Sequence, residues 1–309
     1  MRIAFFGASS QIAKGLIKKF NANDQNNLYF YVRDIANFEA WLANEGILYE
    51  ANKIQLYEAL QSDSDIDLII NCVGIGDPAK TKNISLSIQS ITKKYDQMVL
   101  SFLEKNPTTK YFFFSSGIAY GNIFSQPAEN YNQGSIDINS SKPEDMYAIS
   151  KVNAENTHRK LSHLSIVDIR VFSYISDEID ISSRFFIADA FRSIMDSEIL
   201  LTSANNITRD FIGIDDLYQL IISLLNAHHL NILVDAYSKA PIDKFSILNF
   251  LQKSFNLKYE LQDSFISLNA TGNKTHYYSK NYIANEFGYI PQFSSLEVIE
   301  EIANKVLSQ

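Results

Sequence analysis

Cysteine is nearly missing from this chain: Cys72 is the only one in 309 residues. No intrachain disulfide can form, and a reducing compartment is expected. Histidine is scarce too. His158, His163, His228, His229 and His276 show no metal-ligand spacing, so no metal is expected. No run approaches the ~20 apolar residues of a membrane span. The opening MRIAFF is too short an apolar run for a signal peptide, and Gly7 and Ser9 follow at once. Positive charge is in deficit, with a net charge of −8. That excludes a general affinity for nucleic acid or for an anionic membrane. An anionic small ligand would need a local cluster of donors. Internal repeats and low-complexity tracts are also lacking. A soluble cytoplasmic protein is the expectation.

What is present describes a globular chain with a substantial core. Apolar residues make up 46% and charged residues 20%. The length fits one large or two modest domains. RIAFF at 2–6 reads as a short buried strand. GASSQIAKGLIKKF follows as a turn running into a helix, with Ile12, Ala13, Leu16 and Ile17 at helical spacing. LYFYVRD at 28–34 is a second strand, 35–45 a helical stretch, and ILYEA near 47–51 a further short strand. IDLIINCVG, 66–74, is an apolar strand ending in glycine. Residues 84–104 form a long amphipathic helix stopped near Pro107. KYFFFSSG, 110–117, is a strand, a helix runs from Tyr147 to about His163, and SIVDIRVF is the next strand. Strands alternating with helices predict a parallel, doubly wound α/β sheet of the Rossmann type. Such sheets bind ligands at the carboxyl ends of their strands. Gly7, Arg33, Gly74 and Ser116 all fall at or just beyond predicted strand ends.

The first turn fits a phosphate site. A strand, a glycine and a helix N-terminus bring free backbone N–H groups and a favourable dipole together. Gly7 permits the tight turn. Ser10 and Ala13 stand where a dinucleotide fingerprint usually has its second and third glycines, and both are small. Ser9 and Ser10 either add hydroxyl donors to a phosphate or cap the helix. The end of the second strand bears on cofactor choice. NAD readers place an acid there, and NADP readers an arginine nearby. Here Val32 holds the acid's position and Arg33 follows, which favours NADP. The plain alternative is a surface Arg33–Asp34 pair.

Tyr147 and Lys151 are four apart within SKPEDMYAISKVNAE, so a helix places them on one face. A free tyrosine has a pKa of about 10 and is a poor proton donor at neutral pH. An ammonium at roughly 4–5 Å, at an effective dielectric of about 20, favours the phenolate by ~3–4 kcal/mol. That is enough to bring the phenol toward working pH. Spacing alone is not decisive, because Tyr49 and Lys53 repeat it by accident. The plain reading of Tyr147 is a helix tyrosine packed on the core.

The order and spacing of these pieces resemble a known family. The chain is similar to an extended short-chain dehydrogenase/reductase of the NAD-dependent epimerase/dehydratase type. The resemblance covers nearly the whole length. It rests on the glycine turn, INCVG, FFFSSGIAYG at 112–121, YAISKVNAE at 147–155, IRVF, RDFIGIDDL at 209–217 and the run YYSKNYIANEFGYIP. It implies that Tyr147 is the general acid/base, that Lys151 lowers its pKa and holds the nicotinamide ribose, and that Ser116 hydrogen-bonds the same substrate oxygen. Ser115 is expected to be structural. Gly7, Ser9, Ser10, Gln11, Ile12 and Arg33 would bind the cofactor, with Cys72, Val73 and Gly74 on the nicotinamide side. Ser116, Gly117 and Arg209 would meet substrate. Arg209 matches a position that often pairs with a nucleotide-sugar diphosphate, the alternative being a structural Arg209–Asp210 pair. Asp215 or Asp216 is expected to cap the helix DLYQLIISLL.

Departures from the pattern narrow the reaction. Dehydratases of this type carry Asp-Glu after the catalytic hydroxyl residue; Gly117 and Ile118 stand there, which argues against 4,6-dehydration. Ser173 replaces the family's asparagine after the IR-x-F strand. The polar stretch 122–146, with Gln126, Asn130, Tyr131 and Asn132, is a substrate loop or a mobile segment. Residues 1–172, with 211–237 returning to them, are expected to form the dinucleotide-binding domain. Residues 173–210 and 238–309 would form a smaller substrate lobe. The resemblance implies an NADP-preferring enzyme (NAD being the alternative) that reduces or epimerises a nucleotide-activated sugar, and a homodimer through the 84–104 and 147–163 helices. The alternatives are a reductase of a non-nucleotide aldehyde or ketone, and a non-catalytic NADP-sensing protein.

Overall fold

The structure, a computed structural model, describes residues 1–62, 65–74, 85–121, 123–129, 136–137, 139, 145–262 and 274–308. Asn130, Tyr131 and Asn132 lie outside the described residues. In chain order the elements begin β1 (Arg2–Phe6), α1 (Gln11–Asn21), β2 (Asn27–Val32), α2 (Ile35–Asn44), β3 (Ile54–Leu56) and β4 (Leu68–Asn71). They continue as α3 (Ser85–Leu103), β5 (Lys110–Ser116), α4 (Met146–Lys160), β6 (Ile166–Val171) and β7 (Ser173–Tyr174). Then come α5 (Phe186–Met195), β8 (Ile199–Ser203), β9 (Thr208–Arg209), β10 (Phe211–Ile212) and α6 (Ile214–Leu225). The chain closes with β11 (Asn231–Ala236), β12 (Ile242–Asp243), α7 (Lys244–Phe255), β13 (Lys258–Gln262), β14 (His276–Tyr277) and α8 (Ser295–Leu307).

Seven strands form one parallel sheet in the order β11-β6-β5-β4-β1-β2-β3. Alternation along each strand separates two cores. Ile3 and Phe5 of β1, with Phe112 and Phe114 of β5, join the core under α1, α2 and α6. Ala4, Phe6, Tyr111 and Phe113 join the core under α3 and α4. A third core gathers residues of α5, α7 and α8. The strand order reverses between β1 and β4, whose paired ends are Phe6 and Asn71. A parallel sheet opens a crevice at such a switch point. Gly7 and Cys72 follow those ends directly.

Three local expectations give way to the structure. No strand forms at 47–51. Leu48 is 92% exposed there, so the segment has little to bury, and the strand is Ile54–Leu56 instead. Neither Asp215 nor Asp216 caps α6. Its N-cap is Gly213, which leaves both aspartates inside the first turn. Asp215 pairs with Lys19, and Asp216 accepts from the amides of Gln292 at 2.8 Å and Phe293 at 3.0 Å. The Tyr147 helix also ends at Lys160, three residues short of His163.

Candidate active site

The first strand turns sharply into α1. Gly7 has φ +84°, a left-handed value that other residues rarely adopt. A Cβ on it would lie 3.0 Å from the Val73 nitrogen, so the turns after β1 and β4 touch there. Ser10 caps α1, accepting from the Ala13 amide at 3.2 Å. Among the described residues, nothing accepts from the amides of Ser9, Gln11 and Ile12. Three unmet N–H groups at a helix N-terminus, beside a glycine turn at the switch point, suit the diphosphate of a dinucleotide. The Gln11 side chain itself turns to the Ser176 hydroxyl, 3.3 Å away.

Arg33 is exposed at the end of β2. The pairing with Asp34 does not form among the described residues. Asp34 caps α2 instead, accepting from the Asn37 amide at 3.0 Å. Cys72 lies within reach of the Ser10 hydroxyl, and burial pushes its thiol up to about 12. A thiol held neutral in this way is not a nucleophile.

The carboxyl end of β5 and the first turns of α4 bring Ser116, Tyr147 and Lys151 together. The Ser116 side chain lies close enough to the Tyr147 phenol to lower its pKa. Lys151 is 2% exposed, and its Nζ donates to the Phe114 carbonyl at 2.8 Å. The same Nζ lies 4.4 Å above the Phe113 ring, 5.8 Å from the Tyr147 ring centre and 3.5 Å from where a Cβ on Gly74 would be. The expected fall in the tyrosine's pKa is not what this geometry produces. Burial pushes Tyr147 up to about 12, and the Ser116 hydrogen bond only moderates it. Burial also draws Lys151 down to about 8, against the pull of Asp96, Glu155 and Asp168. Desolvation disfavours both charged forms. Tyr147 therefore stays a phenol at neutral pH, with a proton to give.

Behind the serine, Ser115 donates to Glu155 at 2.5 Å, and Glu155 is held by Arg170 in a two-pronged pair at 2.9 and 2.6 Å. Ser115 is thus a structural residue. Gly117 is pressed against Phe172: a Cβ there would come within 2.4 Å of the ring. That glycine makes room for the aromatic cluster of Tyr120, Phe124, Phe172 and Tyr277.

Tyr277 is the residue the sequence reading missed. Its hydroxyl is 3.5 Å from the Ser116 oxygen, and it interacts with Tyr147. It lies 161 positions from Ser116 in the chain, and although it opens the run YYSKNYIANEFGYIP, nothing in that run gives it a place beside Ser116. Arg209 and Lys274 flank its ring, at 5.5 and 5.1 Å from the centre. Arg209 donates to the carbonyls of Thr208 and Lys274. Asp210 turns to the Ser238 amide and the Ser295 hydroxyl. Burial lowers both cations, Arg209 to about 10 and Lys274 to about 8. An anion arriving there would restore what burial has cost them. Arg209 is thus joined to the serine through Tyr277, whereas Arg33 stands apart at the end of β2. Among the described residues no cluster of three or more His, Cys, Asp or Glu is placed to hold a metal. No helix among them is long and apolar enough to cross a membrane.

Known proteins share this architecture. UDP-glucuronic acid 4-epimerase from Bacillus cereus, in complex with UDP-glucuronic acid and NAD, superposes with a TM-score of 0.80 at 16% identity, over 100% of this chain and 99% of that one. dTDP-glucose 4,6-dehydratase from Bacillus anthracis, in complex with NAD, gives 0.77 at 12% identity, over 100% and 97%. RMD from Pseudomonas aeruginosa, complexed with NADPH, gives 0.76 at 16% identity, over 99% of each chain. No curated protein matches the sequence. The family description of the NAD dependent epimerase/dehydratases matches residues 3–233. With the seven-stranded sheet, its switch point and that match, the chain belongs to the NAD dependent epimerase/dehydratase family.

Proposed function

We propose that this protein is an NADP-preferring oxidoreductase that reduces a keto group, or interconverts an alcohol centre, on a nucleotide-activated sugar. The observation that carries the reading is the convergence of Ser116, Tyr147 and Lys151 beside the β1/β4 switch point. A nicotinamide bound there would supply hydride to the substrate carbon. Tyr147 gives its proton to the substrate oxygen, and the Ser116 hydroxyl donates a hydrogen bond to that oxygen as charge develops on it. Lys151 holds the ribose and, as a cation, favours the phenolate left behind. A protonated Tyr147 is ready to serve as the acid of a reduction.

Two features support the finer assignments. Arg33, exposed at the end of β2 while Asp34 caps α2, supports the NADP reading, because an arginine there suits a 2′-phosphate. Arg209 and Lys274 on either side of Tyr277 suit a diphosphate or another anionic group of the substrate. The test is NADPH oxidation, with NADH in parallel, over a panel of keto-sugar nucleotides. Turnover with NADPH is expected, and Tyr147→Phe should lower it by about 10³-fold or more while leaving NADPH affinity within twofold. Unchanged turnover in Tyr147→Phe overturns the assignment of the acid, and equal use of NADH overturns that of Arg33.

A further inference from the structure

On the α3/α4 side of the sheet lies a line of buried polar groups that the proposed proton transfer does not itself use. It begins at His158 near the end of α4, whose ring is wholly buried. Its Nδ1 is 2.6 Å from Asp168 Oδ1 and its Nε2 is 3.0 Å from Asp96 Oδ1. Asp168 lies in the middle of β6, fully buried, and its other oxygen accepts from Arg159 at 2.8 Å. A carboxylate so placed needs charged partners. Both ring nitrogens face carboxylate oxygens, so both must donate and the ring is an imidazolium. Burial opposes that charge; Asp168 and Asp96 overcome it and hold the pKa up at about 9.

From Asp96 onward the direction of every hydrogen bond is set. The same Oδ1 accepts from the Tyr111 hydroxyl at 2.8 Å. That hydroxyl, its proton committed, accepts from Asn71 Nδ2 at 2.7 Å. Asn71 must then turn its Oδ1 outward, where it takes the Val73 amide at 2.9 Å. Val73 is the residue whose nitrogen closes on Gly7, and the next residue, Gly74, faces Lys151. A buried ion cluster is thereby tied to the turn between the cofactor's two strands.

We propose that His158, Asp96, Tyr111 and Asn71 are positioning residues, a one-way hydrogen-bond relay that locks the Asn71 carboxamide and so holds the 72–74 turn in the shape a dinucleotide closes on. The inference rests on the dinucleotide reading of the site. Without an acceptor at Tyr111, the carboxamide is free to rotate by half a turn. Its NH₂ would then face the Val73 N–H, donor against donor, and the turn would lose its anchor.

Tyr111→Phe removes one oxygen and keeps the ring that packs on His158 and Phe113. Amide hydrogen exchange at 72–74 should quicken by about tenfold. The KM for the dinucleotide should rise by about five- to tenfold with kcat within twofold. Tyr120→Phe is the control: it breaks an equally buried bond, to Asp235 at 2.8 Å, and should leave exchange at 72–74 unchanged. The relay is overturned if Tyr111→Phe leaves both exchange and KM within twofold of wild type, or if Tyr120→Phe loosens 72–74 as much. Faster exchange with an unchanged KM also overturns it, because the turn is then not what the cofactor closes on. A wild-type chain that binds neither NAD nor NADP, while Tyr111→Phe still quickens exchange, overturns the functional reading and leaves the lock on the turn standing.

Discussion

Lys151 and His158 are two buried cations on the same helix, pushed in opposite directions. His158 touches two carboxylates and is held up at about 9. Lys151 donates to a carbonyl, and burial draws it down to about 8. The sign of the lysine's contribution follows. Its folded value lies below its ordinary 10.5, so the folded chain binds fewer protons than the unfolded one between about pH 8 and 10.5. The penalty is fully present below pH 8 and is relieved as pH rises toward 10.5. Lys151→Met should therefore stabilise the fold at pH 7 by about 1 kcal/mol, relief of the buried charge outweighing the lost bond to Phe114. Urea midpoints at pH 7 and pH 9.5 check this: the gain should shrink at the higher pH. A variant less stable than wild type at pH 7 would show that the lysine is not under strain. The same substitution should abolish turnover, since a group needed as a cation is kept where the fold would be steadier without it.

At the scale of elements, the site depends on two turns pressed together at the switch point. Gly7 has a left-handed backbone and no space for a side chain, with Val73 atoms at 3.0 and 3.1 Å from a Cβ. Gly7→Ala should cost about 2 kcal/mol or more, adding backbone strain to the separation of β1's turn from β4's. Dinucleotide affinity should fall with it, measured by titration calorimetry beside a thermal melt. A full-affinity Gly7→Ala would mean the 72–74 turn yields freely. Much at this scale was legible beforehand. Continuous apolar runs in RIAFF and KYFFFSS mark strands buried on both faces, and the helical spacing of Ile12, Ala13, Leu16 and Ile17 marks α1. The third strand was not, because Leu48 and Tyr49 look apolar in sequence and face solvent in space. The capping of α6 was misjudged by two or three residues, since Gly213 supplies the extended backbone that a cap requires, while Asp215 pairs with Lys19 and Asp216 serves the 292–293 backbone.

Across the whole molecule, Asp216 and Glu178 show how distant segments are fastened. Asp216 is 1% exposed and accepts two amides from the chain just before α8. Glu178 takes Lys14, Lys18 and the indole of Trp41. Asp216→Ala leaves the amides of Gln292 and Phe293 without their carboxylate acceptor and should cost about 1–2 kcal/mol. Dinucleotide affinity should be unchanged, because the turns after β1 and β4 are not involved. Denaturant unfolding and a binding titration on the same sample test both halves. A shift in affinity would show that the α8 region sets the shape of the site.

Hydrophobic period, glycine placement and the order of short motifs are local properties, and a linear string carries them. They were sufficient for the doubly wound sheet and for the family, and they raised Ser116, Tyr147 and Lys151 as candidates. Solvent exclusion and long-range contact are not local. Only the packed chain brought Tyr277 to Ser116, let burial raise Tyr147 instead of lowering it, and closed His158 between Asp96 and Asp168, because each depends on which groups water has been taken away from.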